Sequence, residues 1–467
     1  MLNAIVMSAA ATVLAHATQT CFVYVDPVAF ERRKIMDMCD EHGIECIQLW
    51  SLPYAANLVE QGLLDAESSA IAPPIGDELR WRERVLGDEA DDYDVLGVLC
   101  GSDAGLACAE RLQHALCPDR SNGINLARRD KFLQNEALRA AGLDAAKQCA
   151  PGEDWSVALA FLNSLPQPLQ AVLKPRRGQD SLRVGLATSL AQARGMFKAL
   201  CDAPVSLDSE VAPAPLLQEY LEGDEWVVDT VSRDGTHAVV ALWRYEKEAA
   251  NGAPFVYTQM ALQPVQTSTQ RALCDYACAA LDALAWQWGP CHIEIKNTPR
   301  GPVLVEVNAG RFSGGDFQGL CDRCVGLNAY EATIAAYRRD DGMEWDSSVP
   351  ARPPTALLAH GTMVCLISSV EGTLKGIDHM EQIDAMPSLM AFKPTYTEPG
   401  EKVVRTYDLA TVAGHVMLAH ANRAVLDADY HKLRELQPTL FVVERTRAAG
   451  VCGEPSEGRG AEVTTGE

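Results

Sequence analysis

The stretch CHIEIKNTPRGPVLVEVNAGRFSGGD, from Cys291 to Asp316, carries the pattern on which the fold expectation for the whole chain rests. Hydrophobic residues alternate with polar ones over His292–Lys296 and again over Val303–Asn308, and Thr298-Pro299-Arg300-Gly301 supplies a turn between them. The pattern predicts a β-hairpin. Side chains alternate faces along a strand, so Glu294 shares a face with His292 and Lys296, Glu306 shares one with Asn308, and the turn can bring both carboxylates to one place. Two carboxylates and an amide oxygen are a hard donor set suited to Mg²⁺, which keeps waters and phosphate oxygens in its shell rather than demanding an all-protein cage. Such a set implies a nucleotide.

The rest of the composition fits a protein that handles small molecules. At 467 residues the chain exceeds one ordinary core, so two to three domains are expected. Hydrophobic residues make up 48%, charged residues 22%, and the mean hydropathy is −0.06, as in soluble globular proteins. No apolar run of about eighteen residues is present, so no membrane partner is expected. Forty Lys+Arg against 63 Asp+Glu give a net charge of −23, which repels nucleic acid and anionic membrane surfaces. The fifteen cysteines sit at ordinary apolar positions such as Cys100, Cys108 and Cys365, the usage of reduced thiols in the cytoplasm. Cys321 and Cys324 form a C-x-x-C pair with no second pair at metal spacing, so zinc is not expected there. The opening MLNAIVMSAAATVLAH lacks a basic start and is read as native chain rather than a signal segment.

In chain order, CFVYVD (residues 21–26), a helical pattern over Ala29–His42 and a strand at Glu45–Leu49 read as a parallel βαβ unit. Asp26-Pro27 follows the first strand in place of a G-x-G-x-x-G, so the usual dinucleotide fingerprint is missing. Residues 65–92 are acidic and broken by Pro73-Pro74, as in a surface excursion. The strand Val95–Cys100 runs into Gly101-Ser102-Asp103-Ala104-Gly105 before a helix, either a plain turn or a ligand-binding one. Arg128-Arg129-Asp130-Lys131 opens an amphipathic helix ending at Gly142, with Phe132, Leu133, Ala137 and Leu138 as its expected buried face.

YDVLGVLCGSDAGLACAERLQHAL and SNGINLARRDKFLQNEALRAAGL, between Tyr93 and Leu143, resemble the preATP-grasp domain and junction of bacterial L-amino acid ligases and related carboxylate–amine ligases of the ATP-grasp superfamily. The likeness extends from Cys21 to Phe441. His-x-Glu, Glu-x-Asn, Arg311 and Gly314-Gly315 resemble that superfamily's metal-binding segment, except that its arginine usually stands two residues after the asparagine and Arg311 stands three after Asn308.

The resemblance implies an α/β ATP-grasp fold: a Rossmann-like preATP-grasp domain (1–125), a nucleotide-binding and catalytic domain (126–345), a β-rich C-terminal lid subdomain (346–447) and a disordered Gly- and Glu-rich tail (448–467). It further implies ATP with two Mg²⁺ ions, Mn²⁺ being the substitute, held by Glu294, Glu306 and Asn308. Lys131 and Lys174 resemble the phosphate-contacting lysines, and Arg176–Val184 the loop that closes over the phosphates, although Gln179, Asp180 and Ser181 stand where that loop usually has more glycine. Glu219-Tyr220-Leu221 resembles the hinge that meets adenine through its backbone, Glu225 the carboxylate on the ribose hydroxyls, and Arg311 the group on the substrate carboxylate or acyl phosphate. His292 is a candidate proton acceptor, while Trp243 and Tyr245 are expected in the core. Beyond the hairpin, a helix over Asn328–Arg339, a linker over Val349–Pro354, short strands, a helix over Ala428–Glu435 and a last strand over Leu440–Glu444 are expected.

The implied reaction joins an amino acid or similar carboxylate to an amine through an acyl phosphate, forming ADP, with small-molecule partners and a homodimer as the default assembly. An ATP-grasp ligase with another nucleophile and a catalytically degenerate ATP-binding regulator are the alternatives.

Overall fold

Three parallel strands, β1 (Gln19–Val25), β2 (Glu45–Leu49) and β3 (Tyr93–Cys100), open the chain in the order β2-β1-β3. The computed structural model describes residues 19–27, 29–65, 68, 70–86, 93–178, 183–203, 214–338, 345 and 354–444. Both faces of this sheet are covered, which is why its strands read as continuous apolar runs. Phe22, Tyr24, Leu96 and Leu99 pack on one side with Ile35, Met38 and Cys39 of the helix Ala29–Glu41; Cys21, Val23 and Val25 pack on the other with Leu112 of the helix Leu106–Leu116. The strand ends converge tightly. A Cβ on Gly101 would lie 2.2 Å from the Asp26 carbonyl oxygen. Asp26, itself at φ 51°, accepts from the Ser51 N–H (2.7 Å), the Ser51 hydroxyl (2.7 Å) and the Ser102 hydroxyl (2.5 Å), so the 101–105 turn is held firmly.

A small antiparallel sheet follows, made of β4 (Gln148–Cys149), β5 (Ala171–Pro175), β6 (Gly185–Ala187) and β7 (Pro215–Glu219) in the order β4-β7-β5-β6. The helices Trp155–Ser164 and Leu190–Cys201 pack on it through Ala158, Leu162, Phe197 and Leu200. The main body is an eight-stranded antiparallel sheet. It contains β8 (Asp224–Arg233), β9 (Thr236–Ala250), β10 (Ala253–Leu262), β11 (Gly289–Thr298), β12 (Gly301–Ala309), β13 (His360–Cys365), β15 (Leu389–Pro394) and β17 (Gly414–His420). Their order is β12-β11-β8-β9-β10-β13-β17-β15. β14 (Gly372–Ile377), β16 (Lys402–Val403) and β18 (Phe441–Glu444) form a separate three-stranded sheet.

The β-rich C-terminal segment therefore extends the central sheet instead of forming a sheet wholly its own. Val227, Ala241 and Trp243 share one apolar cluster with Met363, Cys365 and Met417. The helix Ala329–Tyr337 is wedged between the first sheet and the large one, touching Phe22 and Leu96 on one side and Val231 and Val240 on the other. A Cβ on Gly97 would lie 2.6 Å from the Tyr337 ring, so glycine in mid-strand admits this helix.

Several expected boundaries shift. The helix expected over Asn328–Arg339 runs Ala329–Tyr337 with Asn328 as its N-cap, and that expected over Ala428–Glu435 begins earlier, at Arg423, capped by Asn422. The helix Lys131–Ala140 buries Gln134, Asn135 and Leu138, whereas Phe132, Leu133 and Ala137 are only half-buried. Gln134 is inside because β12 is an edge strand: its amide donates to the Val307 carbonyl (2.8 Å) and accepts from the Val307 N–H (3.0 Å). The opening segment, Gln179, Asp180 and Ser181, linker residues 349–353 and the tail lie outside the described residues.

Candidate active site

β11 and β12 form the expected hairpin, and its register sets Glu294 opposite Glu306 and His292 opposite Asn308. Ile293, Ile295, Leu304 and Val307 pack beneath it in one cluster with Leu273 and Ala277 of the helix Ser268–Ala283. Apolar anchoring on one face leaves the polar face to line a cavity of about 580 Å³.

Cations and carboxylates interleave at the centre of this cavity. Lys131, first residue of its helix, has its ammonium paired with Glu306 and also donating to the Gly178 carbonyl at 2.7 Å. The end of β5 is tied to the same helix, since the Lys131 N–H donates to the Arg176 carbonyl at 2.9 Å. Lys174 is buried and reaches the Val305 carbonyl at 3.5 Å. Burial, reinforced by Lys131, pulls its pKa down to about 8. Burial and the neighbouring Glu306 and Glu225 push the Glu294 carboxyl up to about 7, whereas at Glu306 burial is outweighed by Lys131 and Lys174 and the pKa falls. His292 Nδ1 lies 2.8 Å from Asp229 Oδ1, and Asp229 Oδ2 accepts from the Trp243 indole at 2.8 Å. Burial would lower the His292 pKa, but Asp229 and Glu294 more than offset it and hold the ring toward its protonated form.

Among the described residues no three His, Cys, Asp or Glu side chains converge as metal ligands. A cation here would therefore rest on Glu294, Glu306 and the Asn308 amide, with phosphate oxygens and water completing its shell. The donor set fits Mg²⁺. Two half-buried carboxylates face each other across the hairpin, and the repulsion that adds to burial in raising Glu294 is what a cation would relieve.

At one end the cavity is bordered by Val172, Val184, Tyr220, Leu221 and Phe255. The Tyr220 and Phe255 rings stack with 13° between their planes. Glu219 lines this end, but its carboxylate accepts from the Lys147 N–H (2.9 Å) and from Arg300 (2.5 Å), which leaves backbone groups for any ligand. Glu225 lines the cavity and is buried between Lys247 (2.6 Å) and Lys296 (3.3 Å), which outweigh burial and lower its pKa.

Arg311 enters the cavity despite its one-residue offset, because Gly310 at φ 81° turns the chain and donates to the Pro290 carbonyl at 2.9 Å. Its guanidinium pairs with Asp103 at 3.0 Å. Asp103, delivered by the braced 101–105 turn, had its signal in the glycine-rich βα turn, although there the backbone rather than the carboxylate drew attention. The cavity lining also includes Tyr245, Met260, Phe317, Met363 and Leu409, with Asp316, Lys393 and His415 among them. Trp243 is fully buried as expected, while Tyr245 serves both core and cavity wall.

Residues 167–318 match the ATP-grasp domain family. The chain thus carries an ATP-grasp domain at its centre, and the surrounding α/β architecture is the ATP-grasp fold. It is 26% identical over 367 residues to dapdiamide A synthase of Enterobacter agglomerans, an alignment covering 76% of this chain and 82% of that protein. The uncharacterized protein y4rH of Sinorhizobium fredii is 25% identical over 304 residues, 64% of this chain and 58% of that one. The fold superposes on the L-amino acid ligase from Bacillus licheniformis with a TM-score of 0.66 at 17% identity, covering 91% of this chain and 99% of that one.

Proposed function

We propose that the chain is an ATP-dependent, ADP-forming carboxylate–amine ligase that joins an amino acid or similar carboxylate to an amine through an acyl phosphate. The observation that carries this reading is the placement of Glu294, Glu306 and Asn308 in one cavity with Lys131, Lys174 and Arg311. The names of two similar proteins, a dapdiamide synthase and an L-amino acid ligase, support it.

The substrate carboxylate oxygen attacks the γ-phosphorus of ATP, and the bond to ADP breaks. Both reactants are anions, so catalysis is alignment and charge neutralisation. Lys131 moves from Glu306 to the phosphates, Lys174 approaches them from β5, and Arg311 holds the acyl group through its planar fork. Bound Mg²⁺, two ions in this reading, would add neutralising charge at Glu294, Glu306 and Asn308. The amine nitrogen then attacks the acyl carbon, the C–O bond to phosphate breaks with its electron pair leaving on phosphate, and the surplus proton passes to solvent. His292, steadied by Asp229, donates a hydrogen bond to the anionic centre.

Within this reading residues up to 125 supply the Asp103 turn, 126–345 the nucleotide and metal groups, and 346–447 part of the cavity wall. Free thiols at all fourteen described cysteines agree with a cytoplasmic location. Among the described residues no helix is long and apolar enough to cross a membrane. The test is to mix ATP with panels of acids and amines and measure ADP. Release that needs both partners supports the ligase; tight ATP binding without turnover on any pair contradicts it.

A further inference from the structure

Besides the groups that the phosphoryl chemistry uses, the cavity lining carries one further cation. Lys131 and Lys174 face the phosphates, Lys247 and Lys296 are held by Glu225, and Arg311 serves the acyl group. Lys393 remains. Strand alternation places it: Phe392 packs on the cluster with Leu366 and Leu418, whereas Ala391 faces the cluster that includes Phe317, Met363 and Met417, and Lys393 shares Ala391's side. His415 is its cross-strand partner and shares the face of Met417. Asp316, in the first turn of the helix Gly315–Cys324, pairs with the Lys393 ammonium. Met260, Met363, Leu409 and Phe317 line the cavity beside this group.

We infer that Lys393 is a specificity-determining residue that takes the free carboxylate of an amino acid acting as the amine substrate. The inference rests on the ligase reading. In such a reaction the amine nitrogen faces the acyl phosphate while its own carboxylate remains ionised, and a cation other than those on the phosphates can pair with that charge. Asp316 holds the lysine until the carboxylate displaces it, so the pair admits an anion and discriminates against a neutral end. Burial holds the His415 pKa below its ordinary value, so a neutral ring adds a hydrogen-bonding group and no competing charge.

Hydroxylamine trapping in the wild type first establishes acid activation without any amino acid amine. Steady-state kinetics then compare an apolar α-amino acid with its carboxamide as nucleophile, in the wild type, Lys393→Met, Lys393→Arg and Asp316→Asn. The wild type should favour the free acid by about tenfold or more in kcat/KM, the scale of one charged contact. Lys393→Met should bring that ratio toward one by raising the KM for the amino acid, Lys393→Arg should largely restore it, and Asp316→Asn should lower that KM. An unchanged acid-to-amide ratio in a folded Lys393→Met enzyme that still gives hydroxamate overturns the inference. So does a KM change confined to the acyl substrate, which would place that substrate's carboxylate at Lys393. Absence of hydroxamate with every acid overturns the ligase reading and this inference with it.

Discussion

The two ends of the eight-stranded sheet present charge to the same cavity in different ways. At β11–β12 the charged groups are packed into a half-buried hairpin face, where Glu294 and Glu306 oppose each other and Lys131 and Lys174 close in. At β15–β17 a half-exposed Lys393 meets Asp316 at the mouth of a largely apolar pocket. Charges desolvated together shift each other strongly and are fixed in place before any ligand arrives, as befits a reaction whose geometry does not vary. An exposed pair is worth little by itself, about 0–1 kcal/mol, and can be exchanged for a ligand's charge at small cost. The hairpin would set the chemistry, and the far end would set what the chemistry is applied to.

The largest break in this contrast should come from Glu306→Ala. Turnover is expected to fall by about 10² to 10³, the usual effect of removing one preorganised electrostatic group. Lys393→Met, a charge removal of the same nominal size, should act mainly on the amine substrate's KM, by about tenfold. Full activity in Glu306→Ala would remove the metal assignment.

A second consequence concerns pH. In the metal-free protein Glu294 holds its proton up to about 7 through burial and its acidic neighbours. Protons and Mg²⁺ should therefore compete there, and the Mg²⁺ concentration for half-maximal activity should rise by up to about tenfold per pH unit below that value. Glu294→Gln should flatten this dependence. The stability sign is opposite. A carboxyl whose pKa rises on folding favours the fold below its unfolded value, about 4.3, and that contribution is lost as pH climbs through about 7. Melting curves without Mg²⁺ should show the loss, and added Mg²⁺ with nucleotide should reverse it. Above about 8, Lys174 sheds its proton and nucleotide affinity should weaken.

A smaller effect tests the brace behind Asp103. Gly101→Ala forces a Cβ against the Asp26 carbonyl, and the fold should lose about 1–3 kcal/mol in denaturant titration. The same change should raise the KM for the acyl substrate, since Asp103 pairs with Arg311. A stable variant with unchanged kinetics would show that the turn does not position the site.

The hairpin was legible in the sequence because its information is local: a period of two, a four-residue turn and polar residues at fixed intervals determine which side chains meet. The parallel βαβ opening was legible for the same reason. Asp229, Lys393 and His415 were not, because they reach the cavity through contacts between segments far apart in the chain. Nothing near Lys393 indicates that β17 and β13 will carry it to the edge of a sheet begun at residue 224. Glu225 was placed at the cavity correctly, but the two lysines that hold it come from β9 and β11, and only the cross-strand register reveals them. Gln134 misled the helix reading because a glutamine on a buried face is economical only beside an unpaired strand edge.

The account stands on acyl phosphate formation in the β11–β12 cavity. Incubating the enzyme with ATP, Mg²⁺, an accepted acid and hydroxylamine, with no other amine, measures it directly. Acyl hydroxamate should appear in amounts equal to ADP and vanish in Glu306→Ala. ADP formed without hydroxamate, or hydroxamate undiminished in that variant, would contradict it.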